Sequence, residues 1–212
     1  IETRAVPVPV TLFDRRTVHN LLVSSADTEG LSSRLRDLSD QYGVDIALQS
    51  RAARCQSYRL AVFDMDSTLI DCEVIDQLAA QAGFGEAVAE ITAQAMRGDL
   101  DFDESYRTRL ALLEGLDARA VEELADRLPV KEGLREMTTT LKAQGLKLAI
   151  FSGGFMPIAE RLQVDYCFDE VVGNTLEIAS GKVTGRVVPP IVNREHKAAA
   201  LRALATRLGI GV

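Results

Sequence analysis

The stretch Tyr58-Arg59-Leu60-Ala61-Val62-Phe63-Asp64-Met65-Asp66-Ser67-Thr68-Leu69-Ile70 constrains the fold more than any other part of the chain. An apolar run of strand length ends in a carboxylate, a second carboxylate follows two positions later, and two hydroxyl residues come next. Such a strand delivers two acids to its C-terminal end, where open parallel sheets carry their chemistry. Side chains two apart on extended backbone point the same way, so Asp64 and Asp66 can share one site. Two anions held together need a cation between them. Mg2+, which prefers oxygen ligands and bridges readily to phosphate, is the expected ion.

Charge and composition narrow the partner. A formal net charge of −7 argues against nucleic acid, which needs a basic face. The same charge repels anionic substrates at long range, so a phosphate site here requires a metal ion or locally placed Lys and Arg. A hydrophobic fraction of 47% and a charged fraction of 26% are those of an ordinary globular chain. No apolar run reaches the ~18 residues of a membrane span, and the N-terminus lacks a basic-then-apolar signal pattern. Cys55, Cys72 and Cys167 are odd in number and lack C-x-x-C spacing, as expected of free thiols in a reducing compartment. Cytoplasm is therefore the expected location. The first residue, Ile1, points to a cut N-terminus.

Three regions follow from the patterning. Residues 1–57 read as a small α/β module: strands over 6–13 and 18–24, a helix capped by Asp27 or Thr28 and stopped near Gly43, then a strand over 44–48. The β-α-β order is similar to half of an ACT-type sensing module, although a packing or dimerisation appendage is the plainer reading. Residues 51–59 read as a linker. Residues 73–128 predict four helices, over 73–82, 86–97, 102–113 and 118–128, separated by Gly-containing turns. That is too much helix for a simple crossover between strands, so the segment is expected to be an inserted helical cap. Residues 58–72 and 129–212 then form the core. It alternates a helix at 134–143, a strand at 147–151, a short helix at 157–162, an extended segment at 166–172, a hairpin turning at Ser180-Gly181 and a helix at 194–208. The expected fold class is α/β, a doubly wound parallel sheet with helices on both faces.

Several residues fit phosphate-ester chemistry. Phosphate monoesters resist hydrolysis strongly enough that catalysts must supply accelerations up to ~10²¹-fold. A carboxylate nucleophile splits the reaction into two easier steps, and a second carboxyl group serves as general acid and then base. Ser152-Gly153-Gly154, at the end of a predicted strand, offers a hydroxyl and backbone N–H groups unobstructed by side chains. Lys197, near the start of the last helix, supplies positive charge. Taken alone, Ser-Gly-Gly is a generic loop and a helix lysine is usually solvated. His19 and His196 read as surface residues.

Together, Val62-Phe63-Asp64-Met65-Asp66-Ser67-Thr68, Phe151-Ser152-Gly153-Gly154-Phe155 and Lys197 resemble the first three motifs of haloacid-dehalogenase-type phosphatases. The resemblance covers Leu60 to the end and reaches into the cap, where it is similar to the branch of that family acting on O-phosphoserine. It implies Asp64 as nucleophile and Asp66 as general acid/base. Ser152, Gly153 and Lys197 are then implied to bind phosphate, and Asp64 with the Asp66 backbone carbonyl to ligate Mg2+. It further implies Glu73 for the substrate ammonium, Arg109 for its carboxylate, and Met96 and Phe102 in the segment 95–102 as apolar cover. The chemistry agrees: phosphoserine presents an ammonium, a carboxylate and a phosphate, and Arg grips a carboxylate bidentately.

One piece of the resemblance is absent. The family's fourth motif, a strand followed by Gly-Asp-Gly-x-Asn-Asp, supplies a further metal carboxylate and is expected soon after Gly209-Ile210-Gly211-Val212. The expectation is a truncated chain in which the opening strand becomes an unpaired apolar edge. If 212 residues were everything, Mg2+ binding and turnover would be weak. The leading reading is a Mg2+-dependent phosphatase acting on phosphoserine, a small-molecule partner, in the last step of serine biosynthesis. Its rivals are a phosphotransferase to another amino-acid alcohol such as homoserine, and a non-catalytic serine-binding regulator. A homodimer through residues 1–57 is the expected assembly.

Overall fold

The computed structural model describes residues 2–5, 10–13, 16–19, 21–24, 27–54 and 57–211. The chain divides into two compact units, Ile1–Ser57 and Tyr58–Val212.

In the first unit, β1 (Glu2–Ala5) pairs antiparallel with β4 (Leu21–Ser24), and β2 (Val10–Phe13) with β3 (Arg16–Val18). Helix α1 (Thr28–Tyr42) follows, with the Asp27 carboxylate accepting from Gly30 N at 2.9 Å. Gly43 ends the helix in the left-handed conformation, where the absence of a Cβ removes the usual penalty. The order is therefore two antiparallel pairs and a helix, not the expected β-α-β. Of the strand expected over 6–13, residues 6–9 lie outside the described residues. The strand expected over 44–48 does not form. Its alternation of Val44, Ile46 and Leu48 is strand-like, yet these side chains are 40–51% exposed and no neighbouring strand among the described residues completes a ladder there. Alternation specifies a strand only where a partner takes up its backbone groups. Within the expected linker, Arg51–Arg54 makes one helical turn, α2.

The second unit is built on a three-stranded parallel sheet in the order β5 (Leu60–Phe63), β6 (Lys147–Phe155), β7 (Glu170–Asn174). Alternate residues of the strands enter two separate cores, as the two-residue period of a strand requires. Leu148 and Ile150 join Ala61, Phe63 and Val171 beneath α7 (Leu134–Ala143) and α8 (Met156–Tyr166). On the opposite face, Ala149 and Phe151 join Leu60, Val62 and Val172 beneath Leu204, Ala200 and Leu201 of α9 (Arg194–Leu208). Residues 148–152 of β6 are all buried, which follows from helices covering both faces of a parallel strand. Full burial of Leu148 and Ile150 stabilises the sheet by about 1.5–3 kcal/mol each. Among the described residues β5 has β6 as its one strand partner and forms an edge of the sheet.

Four helices stand between β5 and α7: α3 (Val74–Gln81), α4 (Gly85–Arg97), α5 (Phe102–Ala111) and α6 (Arg119–Asp126). The chain entering and leaving this insertion is strapped together. Ile70 bridges Val130, Asp71 N donates to Pro129 O at 2.7 Å, Lys131 N donates to Leu69 O at 2.9 Å, and the Lys131 ammonium pairs with Asp71. A hairpin, β8 (Leu176–Ala179) and β9 (Lys182–Val187), bonds to the α5–α6 connection through Gly115 N to Val183 O and Val183 N to Leu116 O, both at 2.9 Å. The inserted helices thus rest on the sheet domain at both the strap and the hairpin. Among the described residues no helix is long and apolar enough to cross a membrane.

Candidate active site

A cavity of about 140 Å³ opens at the C-terminal end of the sheet, lined by Asp64, Asp66, Glu73, Phe102, Arg109, Ser152, Gly153 and Lys197 among others. Every expected site residue except Met96 is in that lining. Met96 lies in α4, and its side chain is outside the described residues.

The two acids leave β5 into a tight loop. Thr68 N, Leu69 N and Ile70 N all donate to Met65 O, and Ser67 takes a positive φ of 56° to turn the chain back. Met65 is fully buried, which anchors the loop and leaves the side chains on either side of it facing the cavity. The Asp64 carboxylate accepts from Met65 N at 2.8 Å through one oxygen and from Lys197 Nζ at 2.7 Å through the other. Asp66 accepts from Val74 N at 2.9 Å, at the start of α3, and from Ser152 Oγ at 3.3 Å. Burial pushes the Asp66 carboxyl up to about 6, the Val74 N–H pulls it back in part, and the charges of Glu73 and Asp64 add to the rise. The arrangement places an ion-paired carboxylate beside one poised to exchange a proton near neutral pH, a combination suited to nucleophile and acid–base roles.

Ser152, Gly153 and Gly154 belong to the last stretch of β6 rather than to a loop beyond it, since the strand expected to end at 151 runs to Phe155. Its pairing with β7 is irregular there: Phe151 faces Val172 and Phe155 faces Asn174, so three residues of β6 stand opposite Gly173 alone. The chain bulges toward the cavity as a result. There is no room for side chains at the bulge. A Cβ on Gly154 would lie 2.5 Å from Asp66 Oδ2, and one on Gly153 would lie 2.7 Å from Phe102 Cζ.

From the inserted helices and the turn that leads into them come Glu73, Phe102 and Arg109. Glu73 accepts from Ser67 Oγ at 2.8 Å. Arg109 is buried, 9% exposed, yet its contacts are long: Ser105 O and Thr92 Oγ1 at 3.4 Å, and Asp76 at 4.0 Å. A guanidinium held at the outer edge of hydrogen-bonding distance keeps most of its donors available to a ligand. Phe102 stacks on Tyr106, with ring centroids 6.3 Å apart.

Sequence reasoning passed over Asp76, Thr92, Ile75 and Tyr106, which line the cavity or contact Arg109. It also passed over Asn174 and Asn193. Ile75 carries no chemical signal in a sequence. Asp76, three residues after Glu73 on a helix, was the one readable clue. Among the described residues no three His, Cys, Asp or Glu side chains converge as a metal cage. The donors that are present nevertheless fit Mg2+ in kind, because this ion is commonly held by one or two carboxylates with water and substrate phosphate completing its shell. Asp64, whose side chain is 49% exposed, offers such a carboxylate.

The parallel sheet with its inserted helices defines an α/β fold, and residues 58–211 match the haloacid dehalogenase-like hydrolase family; the chain belongs to it. The Phosphoserine phosphatase of Streptomyces coelicolor is 42% identical over 207 residues, covering 98% of this chain and 49% of that relative. The chain spans about half the length of the curated relatives it matches. A haloacid dehalogenase family hydrolase from Salmonella enterica serovar Typhi superposes with a TM-score of 0.88 at 31% identity, over 99% of this chain and 71% of that one. A phosphoserine phosphatase solved as a phospho-aspartyl intermediate analogue superposes with a TM-score of 0.69 at 35% identity, over 74% and 75%.

Proposed function

We propose that this pocket hydrolyses O-phospho-L-serine to L-serine and phosphate, in a Mg2+-dependent reaction that passes through a phosphorylated Asp64. The observation that carries the reading is the pairing inside one small cavity of Asp64–Lys197 and Asp66–Ser152 with Glu73 and Arg109. The first four suit a phosphoryl group and the last two an amino acid. Phosphoserine phosphatases among the relatives support the substrate. The similar phosphatase solved as a phospho-aspartyl intermediate analogue supports the intermediate.

In this mechanism an Asp64 oxygen attacks phosphorus while the bond from phosphorus to the serine oxygen breaks. Asp66, protonated, gives its proton to the departing oxygen, so serine leaves as the alcohol. Asp66, now a carboxylate, takes a proton from a water molecule that attacks phosphorus, and phosphate departs as Asp64 is restored. Lys197 offsets charge on the phosphoryl oxygens and orients Asp64. Ser152 and the Gly153 amide bind phosphate oxygens. Glu73 takes the ammonium and Arg109 the carboxylate, with Met96 and Phe102 as apolar cover. When bound, Mg2+ would be held by the Asp64 carboxylate and the Asp66 backbone carbonyl and would neutralise phosphoryl charge. The N-terminal unit carries none of these residues and is proposed as a packing or dimerisation appendage of a cytoplasmic enzyme.

Phosphate release with Mg2+ tests the reading. L-Phosphoserine should be hydrolysed with a kcat/KM well above that of p-nitrophenyl phosphate, which lacks the groups that Glu73 and Arg109 address. Equal values for the two esters, or a preference for the aryl ester, would sink the substrate assignment.

A further inference from the structure

The bulge in β6 creates a problem that one side chain solves. Opposite Gly173 the ladder cannot serve three residues, and the Gly153 carbonyl needs a donor from elsewhere. Asn174, the last residue of β7 and 1% exposed, donates from Nδ2 to Gly153 O at 2.6 Å. Its Oδ1 accepts from Val192 N at 2.8 Å, so both ends of the amide are used.

The Gly153 carbonyl and the Gly154 N–H belong to the same planar peptide unit. The Gly154 N–H donates to Ser152 Oγ at 2.9 Å, and Ser152 Oγ donates to Asp66 at 3.3 Å. A continuous chain of hydrogen bonds therefore runs from Asn174 through the Gly153–Gly154 peptide and the Ser152 hydroxyl to Asp66. The other end of the Asn174 amide holds Val192, next to Asn193. Asn193 caps α9 by accepting from His196 N at 3.0 Å, and α9 carries Lys197 to Asp64. One buried amide thus spaces the β6 bulge from the start of the helix that supplies the lysine.

We propose that Asn174 is a positioning residue for the phosphoryl-transfer reaction: it fixes the Gly153–Gly154 peptide, and through Ser152 the direction of the Asp66 carboxyl. This rests on the reading of the pocket as a phosphatase site. Asn174 touches neither substrate nor reacting atoms, so its effect should fall on the phosphate side of the site and leave the amino-acid side alone.

Asn174→Asp is the discriminating variant, because it retains the acceptor for Val192 N and turns the donor facing Gly153 O into a carboxylate oxygen, which repels that carbonyl. On Mg2+-saturated protein, kcat should fall about 100-fold, the scale of loss that a misplacement of reacting groups by about 1 Å produces. The fall should be equal for L-phosphoserine and p-nitrophenyl phosphate, with the KM for phosphoserine changed less than about threefold. In a double variant with Ser152→Ala the losses should not multiply, since both act on one chain of bonds. The proposal is overturned by a folded Asn174→Asp with wild-type kcat, by a loss confined to phosphoserine, or by multiplicative losses. Failure of Asn174→Asp to fold would also overturn it, by making the residue structural. Wild-type protein that hydrolyses only the aryl ester would overturn the substrate reading and leave this test standing; wild-type protein that hydrolyses neither would overturn both.

Discussion

Asp66 shows how a single group is prepared for work at the cost of stability. Its carboxyl is pushed up to about 6 mainly by burial, against an ordinary value of 3.8. The folded state thus binds this proton more tightly than the unfolded chain does. The associated stabilisation is full below about pH 4 and is lost as pH rises through about 6, where burial opposes the charged form. Asp66→Asn removes that charge and leaves an oxygen for Val74 N and an NH2 for Ser152 Oγ. In EDTA at pH 7 to 8, the variant should be more stable than wild type by about 1–3 kcal/mol, and the difference should vanish near pH 4. Thermal melts across that range check this; an advantage that is independent of pH would contradict the burial argument. Both acids were readable in the sequence because Asp64 and Asp66 end an apolar strand. Asn174 was not, because its importance comes from a bulge that only the pairing of β6 with β7 creates.

Among the elements, the bulge is where the sheet becomes a site. A methyl group at Gly154 meets Asp66 Oδ2 and Met65 Cε, both at 2.5 Å. Met65 is fully buried and cannot retreat, so Gly154→Ala should displace Asp66 and lower kcat by about 100-fold. A methyl group at Gly153 meets the tip of Phe102, which is 42% exposed and able to swing. Gly153→Ala should therefore alter KM more than kcat, and the two variants assayed side by side check the contrast. Helices α7 and α9 were legible to the residue, since Gly145 and Gly209 follow amphipathic runs. Helix α8 was read as ending at 162 but continues to Tyr166, where Cys167 rather than Gly adopts the left-handed cap with φ 58°. The strand expected at 44–48 failed for a different reason: alternation was present without a partner. Local pattern thus identified elements whose ends are chemically marked and missed those decided by pairing.

Over the whole chain, the residues of the site are contributed from distant points of the sequence: Asp64 and Lys197 are bonded across 133 positions, Ser152 and Asp66 across 86. The parallel sheet brings these together at one end, and the strap at residues 70 and 130 sets the inserted helices over them. That convergence was legible from sequence because the motifs fall at the ends of predicted strands, the place where such sheets gather their chemistry. The support behind it, in Asn174 and Thr92, was not, because single polar residues on helices and strands carry no spacing signal. Everything proposed for the pocket turns on one step, the passage of the phosphoryl group of phosphoserine onto Asp64. Acid quenching of the Mg2+-loaded protein during turnover of L-phosphoserine, followed by peptide mass mapping, reads that step without intermediaries. The phosphoryl increment should sit on the peptide containing Asp64 and be absent from Asp64→Asn, which should also lose turnover. Steady phosphate release with the increment on another residue, or undiminished turnover by Asp64→Asn, would mean that Asp64 is not the nucleophile.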